Sequence, residues 1–386
     1  MKFFNWSANR VQVPSAEDNT PSFDSSTGAQ RKLDEGIALE QLGQLDAALQ
    51  CYDEAIVLQP SLAHAHFNRG NILLDKGDSA SALLAYSKAV ELKPDSATAY
   101  YNMGNAHLSL GNAQESVTSC RQAIALKPDF APAHMTMGVA LSRLQRYEEA
   151  VECFTRVVKL TPKSVDAHFQ RGIALHELGK FSEAIASYQS ALSIESSSAV
   201  IHTNLGSAFK EQGDFAAAIV SFQTAISIDP DLAEAHYNLA VSLQSLGQHE
   251  LAIASYLKTL VFSNDKYDAH VNLGVAYREL RQYDKSVRSL RNAIELEPKN
   301  VAGHLSLGMT LAAMGRHTAA LESYGHALEI DQQSVPVLVS QANVHKDLGK
   351  FDAAFSSIQR ALQADPDYVL AHNNLLFIQN YVGHQT

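Results

Sequence analysis

Ala-His-Phe-Asn-Arg-Gly at 65–70 returns as Ala-His-Tyr-Asn-Leu-Ala at 235–240 and as Ala-His-Val-Asn-Leu-Gly at 269–274. The last two stand 34 residues apart, and the first is separated from them by whole multiples of that number. Extending the register both ways gives a column of small residues: Gly36, Gly70, Gly104, Gly138, Gly172, Gly206, Gly274 and Gly308, with Ala240 and Ala342 out of step. From Ala29 the period runs ten times without insertion or deletion. A fixed period of this length marks an array in which each unit is one supersecondary element. It buries its apolar face against its neighbours.

Each period reads as two helices. The first is expected to stop at Gly43, Gly77, Gly111, Gly179, Gly213, Gly247, Gly315 or Gly349. Glycine just past a helix end can take the left-handed conformation that caps free carbonyls. Gln145 and Arg281 occupy this position in two repeats and must accept that conformation or end the helix differently. The second helix carries alanines seven apart, such as Ala48 and Ala55 or Ala218 and Ala225. They share one face and let the paired helices approach closely. Pro60, Pro94, Pro128, Pro162, Pro230, Pro298 and Pro366 close the repeat, since proline cannot continue a helix. Ser196, Asn264 and Gln332 replace it elsewhere. With Ala240, Thr259 and Tyr267 also departing from the pattern, the joint around 259–267 is expected to be the least regular.

A length of 386 residues alone suggests two or three globular domains, but a repeat array is one quasi-linear body. The chain is 46% apolar, ample for a continuous core, and its formal net charge is −11. An acidic chain without a basic run argues against nucleic acid and against anionic membranes as partners. The apolar start Met1-Lys2-Phe3-Phe4 is broken by Asn5 and Ser7, and no later run could span a bilayer, so a cytoplasmic protein is expected. Cys51, Cys120 and Cys153 show no metal-type spacing. Cys120 falls in the column of Tyr52, Tyr86, Phe154, Tyr188, Phe222, Tyr256 and Tyr324, which makes it an apolar filler in a reducing compartment. Residues 1–28 lack apolar periodicity and read as a disordered leader, with Phe3, Phe4 and Trp6 near a frayed end. Phosphate-loop, nucleophile-elbow and zinc-protease motifs are absent, so no catalytic residue, cofactor or metal is expected.

Two polar columns remain. The first is His66, His134, His168, His202, His236, His270, His304 and His372. Its members sit on successive repeats, roughly 10 Å apart by helix spacing, whereas ligands sharing a zinc each lie about 2 Å from it. The column therefore reads as packing between helices, with a ring nitrogen bonded locally. Two residues further on stand Asn68, Asn102, Asn204, Asn238, Asn272 and Asn374, with Asp34, Thr136, Gln170, Ser306 and Ser340 in the other repeats. A carboxamide both donates and accepts, so a ladder of them could hold the backbone of an extended peptide. The alternative is that each amide satisfies a neighbouring helix.

The period, the small-residue column and the closing proline resemble tetratricopeptide repeats. The resemblance implies an all-α fold, a right-handed superhelical solenoid of helix–turn–helix units. Ten repeats would then occupy 29–368, and a partial capping repeat, its first helix only, 369–386. The quoted hexapeptides further resemble the repeats of O-GlcNAc transferases and their bacterial relatives, over 29–386. In that family an asparagine ladder on the inner surface holds substrate polypeptide, which implies peptide binding by Asn68, Asn102, Asn204, Asn238, Asn272 and Asn374. The run Ala371-His372-Asn373-Asn374-Leu375-Leu376-Phe377 with Asn380-Tyr381 resembles the stretch leading into the glycosyltransferase domain in that family. No sugar-nucleotide site is expected before Thr386. Another tetratricopeptide class grips acidic chaperone C-termini through lysines and arginines on its first helices. The fifth-position column here, including Phe67, Tyr101, Phe169, Tyr237 and Val271, holds no lysine. The leading expectation is a non-catalytic scaffold binding extended protein or peptide segments along a concave asparagine-lined groove. The alternative is the substrate-recruiting region of an O-GlcNAc-transferase-like enzyme whose catalytic domain is absent from this chain. A third reading is a homodimer formed through the convex face.

Overall fold

A computed structural model describes residues 28–383, and among them are twenty-one helices and no strand. The leader expected at 1–28 lies outside the described residues except for Gly28, which opens the first helix. The chain divides into two compact units at Ser197–Ser198. The first holds α1 (Gly28–Gln41), α2 (Leu45–Leu58), α3 (Ala63–Asp75), α4 (Ser79–Leu92), α5 (Ala97–Ser109), α6 (Ala113–Leu126), α7 (Ala131–Arg143), α8 (Tyr147–Leu160), α9 (Val165–Glu177) and α10 (Phe181–Ile194). The second holds α11 (Ala199–Glu211), α12 (Phe215–Ile228), α13 (Ala233–Ser245), α14 (His249–Phe262), α15 (Tyr267–Glu279), α16 (Tyr283–Leu296), α17 (Val301–Ala313), α18 (His317–Ile330), α19 (Val335–Asp347), α20 (Phe351–Ala364) and α21 (Val369–Gly383). Odd-numbered helices are the first of each repeat and even-numbered helices the second.

Each odd helix packs hardest on the even helix that follows it. The glycine column explains how. A Cβ on Gly172 would lie 2.5 Å from Cε1 of Tyr188, and one on Gly36 2.6 Å from the same atom of Tyr52. In most repeats a ring of the second helix thus occupies the space that a side chain on the first would need, and opposite Gly274 the side chain of Leu290 does so. In the repeat of Gly104 the occupant is the sulfur of Cys120, which is fully buried like the rings it replaces. From α3 to α9 and from α11 to α21, successive odd helices also touch, whereas successive even helices make no comparable contact. Each unit therefore bends with its first helices on the inner side.

The turns follow one geometry. After α1, Gly43 donates to Glu40 and Gln44 reaches back to Leu39, so two orphan carbonyls are capped. The turn glycines have φ between 70° and 87°. Gln145 and Arg281 take the same left-handed conformation, at φ 58° and 57°, and Arg146 and Gln282 close the same bonds to Leu141 and Tyr277. A side chain there is strained by about 1–2 kcal/mol.

The histidine column pins the turn between repeats. Nε2 of His66 lies 2.9 Å from the Pro60 carbonyl, and His134, His168, His236, His304 and His372 meet the corresponding proline carbonyls at 2.7–3.0 Å. A carbonyl only accepts, so the proton sits on Nε2. His270 makes the same bond to Asn264 at 3.2 Å.

That bond belongs to the joint expected to be irregular, and the structure corrects the expectation. The α14–α15 turn is the standard one, with Ser263 donating to Thr259 at 2.8 Å. Thr259 is fully buried and bonds the Ser255 carbonyl. The Tyr267 hydroxyl accepts from the backbone amide of Gly303 at 2.7 Å, capping the first turn of α17 from 36 residues away. Gly303 makes room for it, since a Cβ there would come within 3.1 Å of that hydroxyl.

Candidate functional site

The asparagine column lies in the seam between successive first helices. In the first unit, Asn102 on α5 donates its side-chain amide to Oδ1 of Asn71 on α3 at 2.9 Å. The Tyr86 hydroxyl donates to the same oxygen, also at 2.9 Å. One repeat on, Thr136 of α7 donates to Oδ1 of Asn105 on α5 at 2.8 Å. The recurring device is a bond from the ladder position to a carboxamide three residues beyond the previous ladder position. Asn102 and Thr136 are buried, Asn68 is half-buried on α3, and Asp34 is exposed, held by Gln30 at 2.9 Å. Gln170 is buried on α9.

These bonds orient the amides. With Oδ1 of Asn71 accepting twice, its N–H groups are left to donate, and Asn102 keeps its own carbonyl as an acceptor. Asn71, Asn102 and Asn105 line a cavity of about 400 Å³ together with Leu74, Asp75, Tyr86 and Ser109. That volume falls within the range of ligand pockets.

In the second unit the ladder takes different partners. Asn204 turns back to the Val200 carbonyl of its own helix at 2.9 Å. Asn238 accepts from Nζ of Lys210 on α11 at 3.3 Å. Asn272 of α15 donates to the Tyr237 hydroxyl on α13 at 3.1 Å. Asn374 of α21 accepts from Nζ of Lys346 on α19 at 3.4 Å, and Asn343 shares that ammonium at 3.4 Å. Ser340 bonds the Pro336 carbonyl of its own helix, and Ser306 is buried on α17. The Lys266 ammonium stands 3.8 Å above the Tyr237 ring. Burial pulls its pKa below the usual lysine range; Glu234 and Asp268 oppose that pull and Lys210 adds to it. Burial likewise raises the Tyr237 hydroxyl.

The structure thus places Asn102 and Thr136 in the first unit, and Asn238, Asn272 and Asn374 in the second, in bonds across neighbouring first helices, and adds partners outside the column: Asn71, Asn105, Tyr237, Lys210 and Lys346. Asp34, Asn204 and Ser340 bond within their own helices instead. The asparagines three residues past the ladder recur at 71, 105 and 343, a periodic signal visible in the sequence. The lysines recur only in the second unit, where no single-repeat pattern reveals them.

Burial pushes the Cys120 and Cys153 thiols up to about 12, which makes them poor nucleophiles. All three cysteines are free and buried. Among the described residues no helix is long and apolar enough to cross a membrane.

Residues 36–77, 70–111 and 206–247 match a family model described as TPR repeat. Three models described as tetratricopeptide repeat match 135–199, then 97–130 and 267–300, and then 302–334 and 335–368. Among solved structures, the C-terminal part of a TPR repeat-containing protein from Cytophaga hutchinsonii superposes with a TM-score of 0.52 at 20% identity, covering 62% of this chain and 98% of that one. YrrB, a TPR protein with an unusual peptide-binding site, is 26% identical over 48% of this chain and 95% of its own, with a TM-score of 0.45. MamA is 27% identical over 44% of this chain and 92% of its own, with a TM-score of 0.42. None of the curated proteins matches the sequence.

Proposed function

The chain belongs to the tetratricopeptide repeat family, and we propose that it is a non-catalytic protein-interaction scaffold whose first-helix seams hold extended polypeptide. The observation that supports this reading most is the cavity of the first unit. The bonds from Asn102 and Tyr86 to the Asn71 oxygen leave Asn71 with N–H donors and Asn102 with a carbonyl acceptor to offer there. A peptide group presents the complementary pair, one carbonyl and one N–H. Asn68 and Asn102 would then engage backbone in the first unit, and Asn204, Asn238, Asn272 and Asn374 in the second. Recognition through main-chain groups is tolerant of sequence, as suits a scaffold.

The test is titration of fluorescent, uncharged extended peptides into wild-type protein and into Asn71→Ala/Asn102→Ala. Loss of about 0.5–1.5 kcal/mol per deleted bond, similar for unrelated peptides, is the expected result. Unchanged affinity in a folded variant would remove the ladder from the binding mechanism. The recruiting-arm reading uses the same seam and places catalysis on another stretch of chain. Turnover of UDP-GlcNAc by this chain alone would overturn the non-catalytic assignment.

A further inference from the structure

The twelfth position of the repeat changes character between the two units. In the first it reads Glu40, Leu74, Leu108, Ser142 and His176; in the second Lys210, Gln244, Arg278, Ala312 and Lys346. Cations thus appear only in the second unit, and there in every other repeat, at 210, 278 and 346. Each precedes a ladder residue of the next repeat by 28 positions: Asn238, Ser306 and Asn374. Lys210 and Lys346 donate to the carboxamide oxygens of those asparagines, which ties these two to the seam itself, and Arg278 occupies the equivalent position between them.

The surroundings of these cations are under-neutralised. Lys346 is held by two neutral carboxamide oxygens and by the Phe377 ring, 4.9 Å from the ammonium. Lys210 and Arg278 do have acidic neighbours, Glu211 at 3.4 Å and Glu279 at 3.1 Å. Those carboxylates are the outward partners: the glutamate side chains are 47% and 46% exposed, the cations only 22% and 17%. Pairs of that kind contribute little and yield easily to a better-placed anion. A neutral amide gives an ammonium less than a carboxylate would, so each site favours an incoming carboxylate.

We propose that the seam of the second unit selects extended segments carrying aspartate or glutamate about every fifth or sixth residue, each carboxylate meeting one of Lys210, Arg278 and Lys346. The spacing follows from geometry. Two repeats advance roughly 16–20 Å at 8–10 Å per repeat, and an extended chain covers about 3.3–3.6 Å per residue. This inference rests on the ladder reading above and adds a chemical class of partner to it. The net charge of −11 repels acidic peptides in general, so a preference for them has to arise locally. The fifth-position column, which lacks lysine, plays no part in it.

Three peptides of equal length decide the matter: one uncharged, one with three glutamates six residues apart, and one with the three glutamates contiguous. Anisotropy titrations at about 0.1 M salt should show the spaced peptide binding about tenfold or more tighter than the other two. The triple variant Lys210→Gln/Arg278→Gln/Lys346→Gln should lose the preference. A charge-matched variant at exposed sites away from the seam, Lys159→Gln/Lys163→Gln/Lys299→Gln, should keep it. Should the triple variant melt early, Lys346→Gln alone serves, with the preference expected to fall severalfold. Equal affinity for spaced and uncharged peptides, or for spaced and contiguous ones, overturns the proposal and leaves the ladder standing. If no peptide binds wild-type protein, the ladder reading fails and this one with it.

Discussion

Asn102 and Asn71, 31 residues apart, share one hydrogen bond of 2.9 Å across the seam of two first helices. The same column that could meet a ligand therefore also joins one repeat to the next. A ladder residue is at once a contact and a fastener, and substitutions in it should move stability and binding together. Asn102→Ala should lower the unfolding free energy by about 0.5–1.5 kcal/mol, since Asn71 keeps its bond from Tyr86. Urea denaturation measures this. A loss of peptide affinity with no change in stability would show that the bond to Asn71 is dispensable for folding.

Replacing Gly308 by alanine puts a Cβ 2.4 Å from the Tyr324 ring, closer than real atoms approach. The expected cost is about 1–3 kcal/mol of overpacking. The chain itself shows a compensated pair, Ala342 in register with Ile358, both buried in one cluster. Gly308→Ala/Tyr324→Ile should therefore recover part of the loss, measurable as a positive coupling in a double-mutant cycle.

Arg281 stands at φ 57° where eight other repeats have glycine. Arg281→Gly should stabilise the protein by up to about 1 kcal/mol, the relief of left-handed strain less the added entropy of the unfolded chain. Gln145→Gly should behave alike. A fall in melting temperature for both would mean that their side chains contribute more than the strain costs.

Tyr267→Phe removes the acceptor of the Gly303 amide and leaves the α17 first turn short of one cap. A loss of about 1–3 kcal/mol is expected for a buried donor without a partner. Amide exchange at Gly303 should accelerate more than exchange in α11 or α12.

Alkaline pH should destabilise the fold. Cys120 and Cys153 hold their protons to about 12 when folded, against an ordinary thiol value of 9.0, and Tyr324 to about 12 against 10.0, all through burial. Below pH 9 these groups are protonated in both states and their stabilising contribution is complete. Above it the unfolded chain releases protons that the folded chain keeps, so stability falls as pH rises toward 12. Each fully titrating group adds about 1.4 kcal/mol per pH unit to the slope. Urea midpoints at pH 8.0, 9.5 and 10.5 should decline steadily, and less so in Cys120→Ala/Cys153→Ala.

What the sequence disclosed was whatever recurs in every repeat. Gly172 and Tyr188, or His66 and Pro60, are set by one helix hairpin or one turn, and a fixed period exposes them. The regular turn at 259–267 is hidden in the sequence because each departure there, taken alone, breaks the repeat pattern. Tyr267 departs from the column only to meet Gly303, a compensation one repeat further on. The ladder's partners escaped for a related reason. Asn71 and Lys210 act across a repeat boundary, at offsets of 31 and 28 residues, which matching of equivalent columns does not compare. Which half of an amide stays available depends on such partners, and a column of asparagines does not reveal it.

The bond between Tyr267 and Gly303 has a kinetic consequence. It spans 36 residues, little more than one repeat of 34, in a chain of 386. Closing a loop grows costlier with its length, and chains built from local contacts fold fastest for their size. Within either unit, a repeat emerging during synthesis finds the earlier partners it packs against within about one repeat behind it. It can dock on the stack already formed without waiting for the rest of the chain.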